Sequence, residues 1–120
     1  MNFNFSDNKI SIGTDLVEIG RFKNVDSSFL KKVFTEKEVN QCKKKINFEE
    51  SLAGRFSGKE AVKKTIKENI DFNKIEITSN ENGAPVVNIL NKQIKKKYKI
   101  ILSISHTAGL AHAVCLTFKV

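Results

Sequence analysis

Apolar and polar residues alternate in two different ways along the first half of the chain. From Ile10 to Ile12 every second position is apolar, which is the pattern of a strand. Apolar residues between Phe29 and Phe34 are spaced as on one face of a short helix. Thr35 and Glu38 form a Thr-x-x-Glu capping box, which predicts that a second helix begins there. The longest helical pattern spans residues 48–68, directly after an asparagine that can cap it.

The second half of the chain is mostly strand-like. Residues 75–78 and 86–89 flank an Asn-Gly turn signal and predict a hairpin. A short basic helix is expected near residues 92–97, followed by strands at 100–105 and 111–118 with a turn between them. One strand, several helices and then mainly strands is the order of an α+β fold. We therefore expect a small antiparallel sheet packed against the long helix.

Length and cysteine usage describe the general class of protein. A chain of 120 residues predicts a single domain over residues 1–120, in which residues 1–9 form a short N-terminal extension. Cys42 and Cys115 lie far apart without metal-ligand spacing, so we expect free thiols and a cytoplasmic location. No apolar run approaches the length of about 20 residues that a membrane helix needs, so no membrane partner is expected.

The charge of the chain favours an anionic partner. Lys and Arg number 21 against 13 Asp and Glu, which gives a net charge of +8. Nucleic acid, a membrane surface, nucleotide phosphates or an acidic protein would all suit such a charge. The small size also favours a site shared between subunits, because a short chain leaves little wall for a deep cleft.

Two acidic residues lie in largely apolar surroundings. Asp15 follows a strand and a glycine, where it could bind a metal or simply form an Asx turn or helix cap. Glu60 could be the second carboxylate of a Mg²⁺ site, or it could pair with Lys64 on the surface of the helix. The sequence does not show whether the two carboxylates meet.

Three further residues could contact phosphate. Arg55 and Lys59 fall within the apolar stripe of the long helix, where their side chains could alternatively extend along the core and end in water. His106 ends an apolar strand beside Ser105 and Thr107, which together offer several donors to a phosphate. A structural, hydrogen-bonded histidine is the other interpretation.

Several segments together resemble one enzyme family, the holo-[acyl-carrier-protein] synthases, which are small phosphopantetheinyl transferases. The segments that carry the resemblance are, in order, Gly13-Thr14-Asp15-Leu16-Val17-Glu18-Ile19-x-Arg21, Phe34-Thr35-x-x-Glu38, Arg55-Phe56-x-x-Lys59-Glu60-Ala61, Asn80-x-x-Gly83-x-Pro85 and Ser103-Ile104-Ser105-His106. They cover nearly the whole chain beyond its first nine residues. The sequence departs from the family pattern at Thr14, which replaces an apolar residue, and at residues 67–72, which lack the usual glycines.

The resemblance implies a reaction and a set of site residues. Mg²⁺ would be held by Asp15 and Glu60 together with the pyrophosphate of coenzyme A, and these two residues and Lys59 would be catalytic. The residues implied to bind coenzyme A are Arg55, Lys59, Lys64, Gly83, Pro85, His106 and Thr107. Arg21 would bind the acidic acyl carrier protein, whose serine receives the phosphopantetheine arm in support of fatty acid biosynthesis. The family also implies a homotrimer with sites between subunits.

Two other functions are alternatives to the transferase. A small basic nucleic-acid-binding protein would explain the charge and the lysine runs. It would not explain Asp15 and Glu60 in apolar settings, so no nucleic-acid partner is expected. A catalytically inactive carrier-protein adaptor would not need to retain Asp15, Lys59 and Glu60.

Overall fold

The computed structural model describes residues 9–120 and contains five strands and four α-helices. The predicted N-terminal extension lies outside the described residues except for Lys9. The strands are β1 (Ile10–Glu18), β2 (Ile75–Ser79), β3 (Pro85–Ile89), β4 (Tyr98–Thr107) and β5 (Leu110–Lys119). The helices are α1 (Ser27–Val33), α2 (Glu36–Lys43), α3 (Phe48–Lys63) and α4 (Lys92–Lys95), with 3-10 helices at Ile19–Phe22 and Phe72–Lys74.

The strands form two antiparallel sheets instead of the single sheet that was expected. Strands β1, β5 and β4 make a three-stranded sheet in that order, and β2 and β3 make a separate hairpin. Asp15 lies opposite Ala113, which lies opposite Ile104 on the far strand. The α+β class and the antiparallel pairing are confirmed. The three-stranded sheet thus combines β1 from the first half of the chain with β4 and β5 from the second half, and α3 packs against it.

The helix starts follow the capping signals in the sequence. The Thr35 hydroxyl accepts a hydrogen bond from Glu38 N–H at 3.2 Å, and the Glu38 carboxylate accepts one from Thr35 N–H at 2.9 Å. Asn47 accepts from Glu50 N–H and caps α3 as predicted. The end of α3 differs from its prediction, because the helix stops at Lys63 and not at residue 68.

Small residues let α3 lie close to both sheets. A Cβ on Gly54 would lie 3.1 Å from Ile104 Cγ2 of β4, and one on Gly58 would lie 2.8 Å from Ile77 Cδ1 of β2. On strand β1, Gly13 faces the backbone of Ala61 in α3, where a Cβ could not fit. The helix backbone therefore lies close to the β1 backbone and to side chains of β2 and β4, and most residues of the helix are buried.

Two apolar clusters flank α3. One contains Ile75, Ile77, Leu102 and Cys115 and fills the space between α3, the hairpin and the three-stranded sheet. The other joins α1, α2 and the first half of α3 through phenylalanines, such as Phe56, whose ring lies 5.4 Å from that of Phe22. Both cysteines are free and buried. Burial raises the pKa of the Cys42 thiol to about 11, so this thiol is protonated at neutral pH.

The turn between the last two strands is shorter than predicted. His106 and Thr107 belong to β4, and only Ala108 and Gly109 form the turn. Both turn residues have positive φ, at 50° and 79°, which is typical of a tight two-residue hairpin turn. Within residues 9–120, no helix has the length and apolar character needed to cross a bilayer.

The contact between β1 and α3 predicts a large difference between two glycine substitutions. Gly13→Ala places a methyl group against the Ala61 carbonyl and within 2.9 Å of Thr65 Cγ2, so β1 must move away from α3. We expect a loss of about 1–3 kcal/mol in the free energy of unfolding, measured by urea denaturation. Gly20→Ala is the matched control because, among the described residues, no atom beyond its two chain neighbours lies within 4 Å of its Cβ position. Equal stability of the two variants would contradict the close approach.

Candidate functional site

Strand β1 holds Asp15 against α3. The backbone carbonyl of Asp15 accepts a hydrogen bond from Ser57 Oγ at 2.9 Å. Its carboxylate is 17% exposed and lies 3.5 Å from Lys64 Nζ, whose amine also donates to the Thr14 carbonyl at 2.8 Å. Asp15 lies within the strand, so the alternative of an Asx turn or a helix cap does not describe it.

Glu60 lies on the face of α3 that meets β1. Residues three and four apart share a helix face, and Glu60 is three residues after Ser57 and four before Lys64. Both of these neighbours contact the Thr14–Asp15 segment. Glu60 is partly exposed. The two predicted metal ligands therefore belong to one junction, between the inner side of β1 and this face of α3.

The donor set at this junction suits a hard cation that shares its ligands with a substrate. In the described part of the chain, no three His, Cys, Asp or Glu side chains cluster as a metal site. Asp15 and Glu60 offer only two carboxylates, which is the typical protein contribution to Mg²⁺ when substrate phosphates and water complete the shell. Lys64 points to Asp15 instead of forming the surface pair with Glu60 that the sequence left open.

A cavity of about 250 Å³ opens on the other side of α3. Four of the residues predicted to bind coenzyme A line it, namely Arg55, Gly83, Pro85 and His106. Sequence reasoning missed the other lining residues, which are Lys45, Ser51, Gly54, Ile77, Thr78, Ser79 and Ile104. Lys45 was visible only as part of a lysine run, and the others have no charge that would mark them.

His106 lies directly over α3 at the mouth of this cavity. Its Nε2 would lie 2.8 Å from a Cβ on Gly54, so the glycine leaves room for the imidazole. Its Nδ1 lies 3.8 Å from Glu50 Oε1. Thr107 follows at the exposed end of β4. The cavity is therefore bounded by the last residues of β4, the start of α3 and the β2–β3 hairpin.

Arg55 forms part of the cavity wall and does not extend into water. The side chain is buried, and its Nη1 donates to Ile77 O at 2.7 Å and to Gln41 Oε1 at 2.9 Å. Its Nη2 donates to Ser79 Oγ at 3.2 Å. A guanidinium has five N–H donors, so donors remain for an anion in the cavity.

Lys59 lies elsewhere than its predicted role requires. The side chain is fully buried, and its amine donates to Glu38 Oε1 at 2.7 Å, Phe72 O at 2.8 Å and Ile75 O at 2.6 Å. Burial lowers the pKa of the Lys59 amine, and the Glu38 carboxylate opposes that shift. An ammonium group has three donors, so none is left for a phosphate. The prediction that Lys59 contacts coenzyme A and is catalytic is corrected here, since its contacts lie inside the fold.

Arg21 lies apart from both of these regions. It is an exposed residue of the 3-10 helix Ile19–Phe22 and lines a second cavity, of about 290 Å³. Phe22, Val25, Phe29 and Phe56 provide the apolar part of that cavity. Asn24 and Asp26 line it as well, so the depression combines an exposed cation and an acidic side chain with an apolar surface.

Comparisons with known proteins identify the family of the chain. The family model of the 4'-phosphopantetheinyl transferase superfamily matches residues 11–115. A holo-[acyl-carrier-protein] synthase of Caldicellulosiruptor saccharolyticus is 43% identical over 118 residues, covering 91% of this chain and 96% of the relative. The corresponding protein of Clostridium tetani is also 43% identical, over 87% of this chain and 91% of the relative.

Solved structures show the same likeness. The structure of Helicobacter pylori holo-[acyl-carrier-protein] synthase in complex with coenzyme A matches with a TM-score of 0.76 and 31% identity. The match covers 89% of this chain and 99% of that chain. The chain therefore belongs to the 4'-phosphopantetheinyl transferase superfamily and, within it, to the holo-[acyl-carrier-protein] synthases.

Proposed function

We propose that this chain transfers the 4'-phosphopantetheine arm of coenzyme A to a serine of an apo acyl carrier protein, in support of fatty acid biosynthesis. The observation that supports the proposal is the contact of Asp15 with Ser57 and Lys64 on one side of α3, with the cavity lined by Arg55 and His106 on the other. The serine oxygen bonds to the phosphorus that carries the pantetheine arm. The bond from that phosphorus to adenosine 3',5'-bisphosphate breaks.

Magnesium is the cation we assign to the carboxylate pair. Asp15 and Glu60 would hold it beside the diphosphate of coenzyme A, where it would neutralise charge on the phosphoryl oxygens. Lys64, with its amine 3.5 Å from Asp15, would orient the same diphosphate. Glu60 would also accept the proton that the carrier serine loses, since a neutral hydroxyl needs a base.

The cavity on the other side of α3 would bind coenzyme A phosphate outside the diphosphate. Arg55 keeps free N–H donors at the cavity wall, and His106 lies at its mouth. The exposed Thr107 would add a hydroxyl donor beside His106. Gly83 lies in the turn of the hairpin and Pro85 is the first residue of β3, and both would form the opposite wall.

We also propose that the working enzyme is a homotrimer with sites between subunits. The face of the three-stranded sheet away from α3 exposes large apolar side chains, with Ile12 71%, Leu16 61% and Ile101 57% exposed. An antiparallel sheet that faces water on one side normally alternates apolar with polar residues, so this face is suited to other copies of the chain. Asp15 is on one edge strand and His106 on the other, so a neighbour's cavity could complete each carboxylate pair.

The proposed partners are coenzyme A and an acidic carrier protein, and the proposed location is the cytoplasm. The net charge of +8 would attract an acidic protein over long range. Arg21, beside its apolar cavity, is the residue that we assign to the carrier.

Glu60→Gln tests the chemical step. Because the amide cannot accept the serine proton, we expect turnover to fall by roughly 100-fold or more, the usual contribution of a general base. Coenzyme A binding, measured by calorimetry, should change much less. Glu49→Gln on the same helix is the control, because Glu49 lies in the first turn of α3. Mass spectrometry of the phosphopantetheine adduct on apo carrier protein gives the rate. Equal losses of binding and turnover would contradict a role for Glu60 in the chemical step.

Arg21→Ala tests the carrier contact. An exposed ion pair contributes about 0.5–1 kcal/mol, so we expect KM for the carrier protein to rise roughly two- to fivefold. The KM for coenzyme A should not change. The difference between variant and wild type should shrink in high salt, because salt screens exposed charges. A change in the KM for coenzyme A alone would assign Arg21 to the other substrate.

The oligomer is tested by Ile12→Lys. A lysine on the apolar sheet face would be buried without a partner in a trimer, so we expect the variant to sediment as a monomer. Ile46→Lys is the control, because Ile46 is fully exposed and lies in the loop before α3. Analytical ultracentrifugation should find a trimer for the control and the wild type. A monomeric wild type that is fully active would contradict the shared site.

A further inference from the structure

Strand β2 has one edge that no other strand of residues 9–120 covers. It pairs with β3 along its other edge, where Leu90 N–H donates to Lys74 O and Asn80 N–H donates to Ala84 O. Because backbone groups alternate in direction along a strand, those of residues 75, 77 and 79 point away from β3. An edge of this kind leaves polar groups that need partners when they are buried.

Helix α3 satisfies the carbonyl groups of this edge. Lys59 Nζ donates to Ile75 O at 2.6 Å, and Arg55 Nη1 donates to Ile77 O at 2.7 Å. The two side chains are four residues apart and so lie on one side of the helix. The spacing of the two side chains along the helix matches the spacing between the carbonyl groups of every second residue in the strand.

Helix α2 satisfies the N–H groups of the same edge. Ile77 N–H donates to Glu38 Oε2 at 2.8 Å, and Ser79 N–H donates to Gln41 Oε1 at 3.0 Å. Glu38 and Gln41 are three residues apart, so they too share a helix face. Side chains from two helices thus take the place of a neighbouring strand.

The two helices are also bonded to each other through these side chains. Glu38 Oε1 accepts from Lys59 Nζ at 2.7 Å, and Gln41 Oε1 accepts from Arg55 Nη1 at 2.9 Å. We call these four residues the side-chain ladder. Glu38 and Lys59 are fully buried, and separating such a pair would leave a charge without a partner.

The ladder lies directly behind the cavity that we assign to coenzyme A. The hairpin supplies Thr78, Ser79, Gly83 and Pro85 to that cavity, and α3 supplies the wall that contains Arg55. The distance between these two walls is therefore fixed by the bonds that the ladder makes to β2. The carboxylate pair at β1 does not depend on the ladder in this way, because β1 contacts the opposite side of α3.

We propose that Glu38, Gln41 and Lys59 are positioning residues that set the width of this cavity and so the affinity for coenzyme A. The proposal rests on the proposed function, because it takes coenzyme A as the occupant. It also gives Lys59 a role without contact with the substrate.

Substitutions at Gln41 test the ladder without breaking the buried ion pair. Gln41→Ala removes one acceptor shared by Ser79 N–H and Arg55, whereas Gln41→Glu keeps an oxygen at this position that can accept from both. We expect Gln41→Ala to raise the Kd and KM for coenzyme A roughly 10-fold, by analogy with the loss seen when residues that orient the ligands of a metal site are removed. The kcat and the KM for carrier protein should stay within about twofold, and Gln41→Glu should restore coenzyme A binding. Glu38→Gln should raise the same two constants further.

Thr117→Val separates positioning from general stability. It removes the buried hydrogen bond of 2.7 Å between the hydroxyls of Thr65 and Thr117, which lies away from the hairpin. This control should lower the melting temperature without raising the KM for coenzyme A. If Gln41→Ala leaves that KM unchanged, or if Thr117→Val raises it equally, the ladder is only structural. If Glu38→Gln does not fold, the Gln41 variants decide.

Calorimetry on the wild type separates the two proposals. Wild-type protein that binds no coenzyme A overturns both the ladder proposal and the proposed function. Wild-type protein that binds coenzyme A and modifies the carrier, while the Gln41 variants behave like it, overturns the ladder proposal alone.

Discussion

Helix α3 can lie against the sheets only because the residues between them have small side chains or none. Gly54 and Gly58 leave space for β4 and β2, and Gly13 lets β1 approach the backbone of Ala61. A glycine inside a helix costs about 1 kcal/mol relative to alanine, so close contact must offset that cost. The same close contact places Asp15 beside α3, since the Ser57 hydroxyl of this helix donates a hydrogen bond to the Asp15 backbone carbonyl.

The two sides of helix α3 carry different groups of polar side chains. Its β1 side presents carboxylates and an amine suited to a cation and a diphosphate, and its hairpin side forms a cavity with a guanidinium in the wall. Buried ionic groups on the hairpin side hold β2 through Glu38 and Lys59. Such a pair adds little net stability, but it strongly disfavours any arrangement that separates the two charges. The fold thus depends on backbone contact on one side of α3 and on specific polar bonds on the other.

The sequence predicted those parts of the structure that depend on local signals. The caps at Thr35 and Asn47 were enough to predict where α2 and α3 begin. The alternation of apolar and polar residues in the strands was enough to predict the α+β class. The early end of α3 was not predictable from local signals. Thr65 lies beyond the helix end, and its hydroxyl shares a hydrogen bond with that of Thr117, which is distant in sequence. The position of Lys59 was missed for a similar reason. A lysine in an apolar stripe can end in water or in the core, and only the partner Glu38, 21 residues away, decides between them.

The convergence of Asp15 and Glu60 on one cation is tested most directly by diffraction from crystals grown with coenzyme A and Mn²⁺ in place of Mg²⁺. Anomalous scattering locates the manganese independently of the protein atoms. We expect one manganese ion coordinated by both carboxylates and by oxygens of the coenzyme A diphosphate. Manganese and diphosphate bound together at a position that neither carboxylate reaches, within or between subunits, would contradict the assignment.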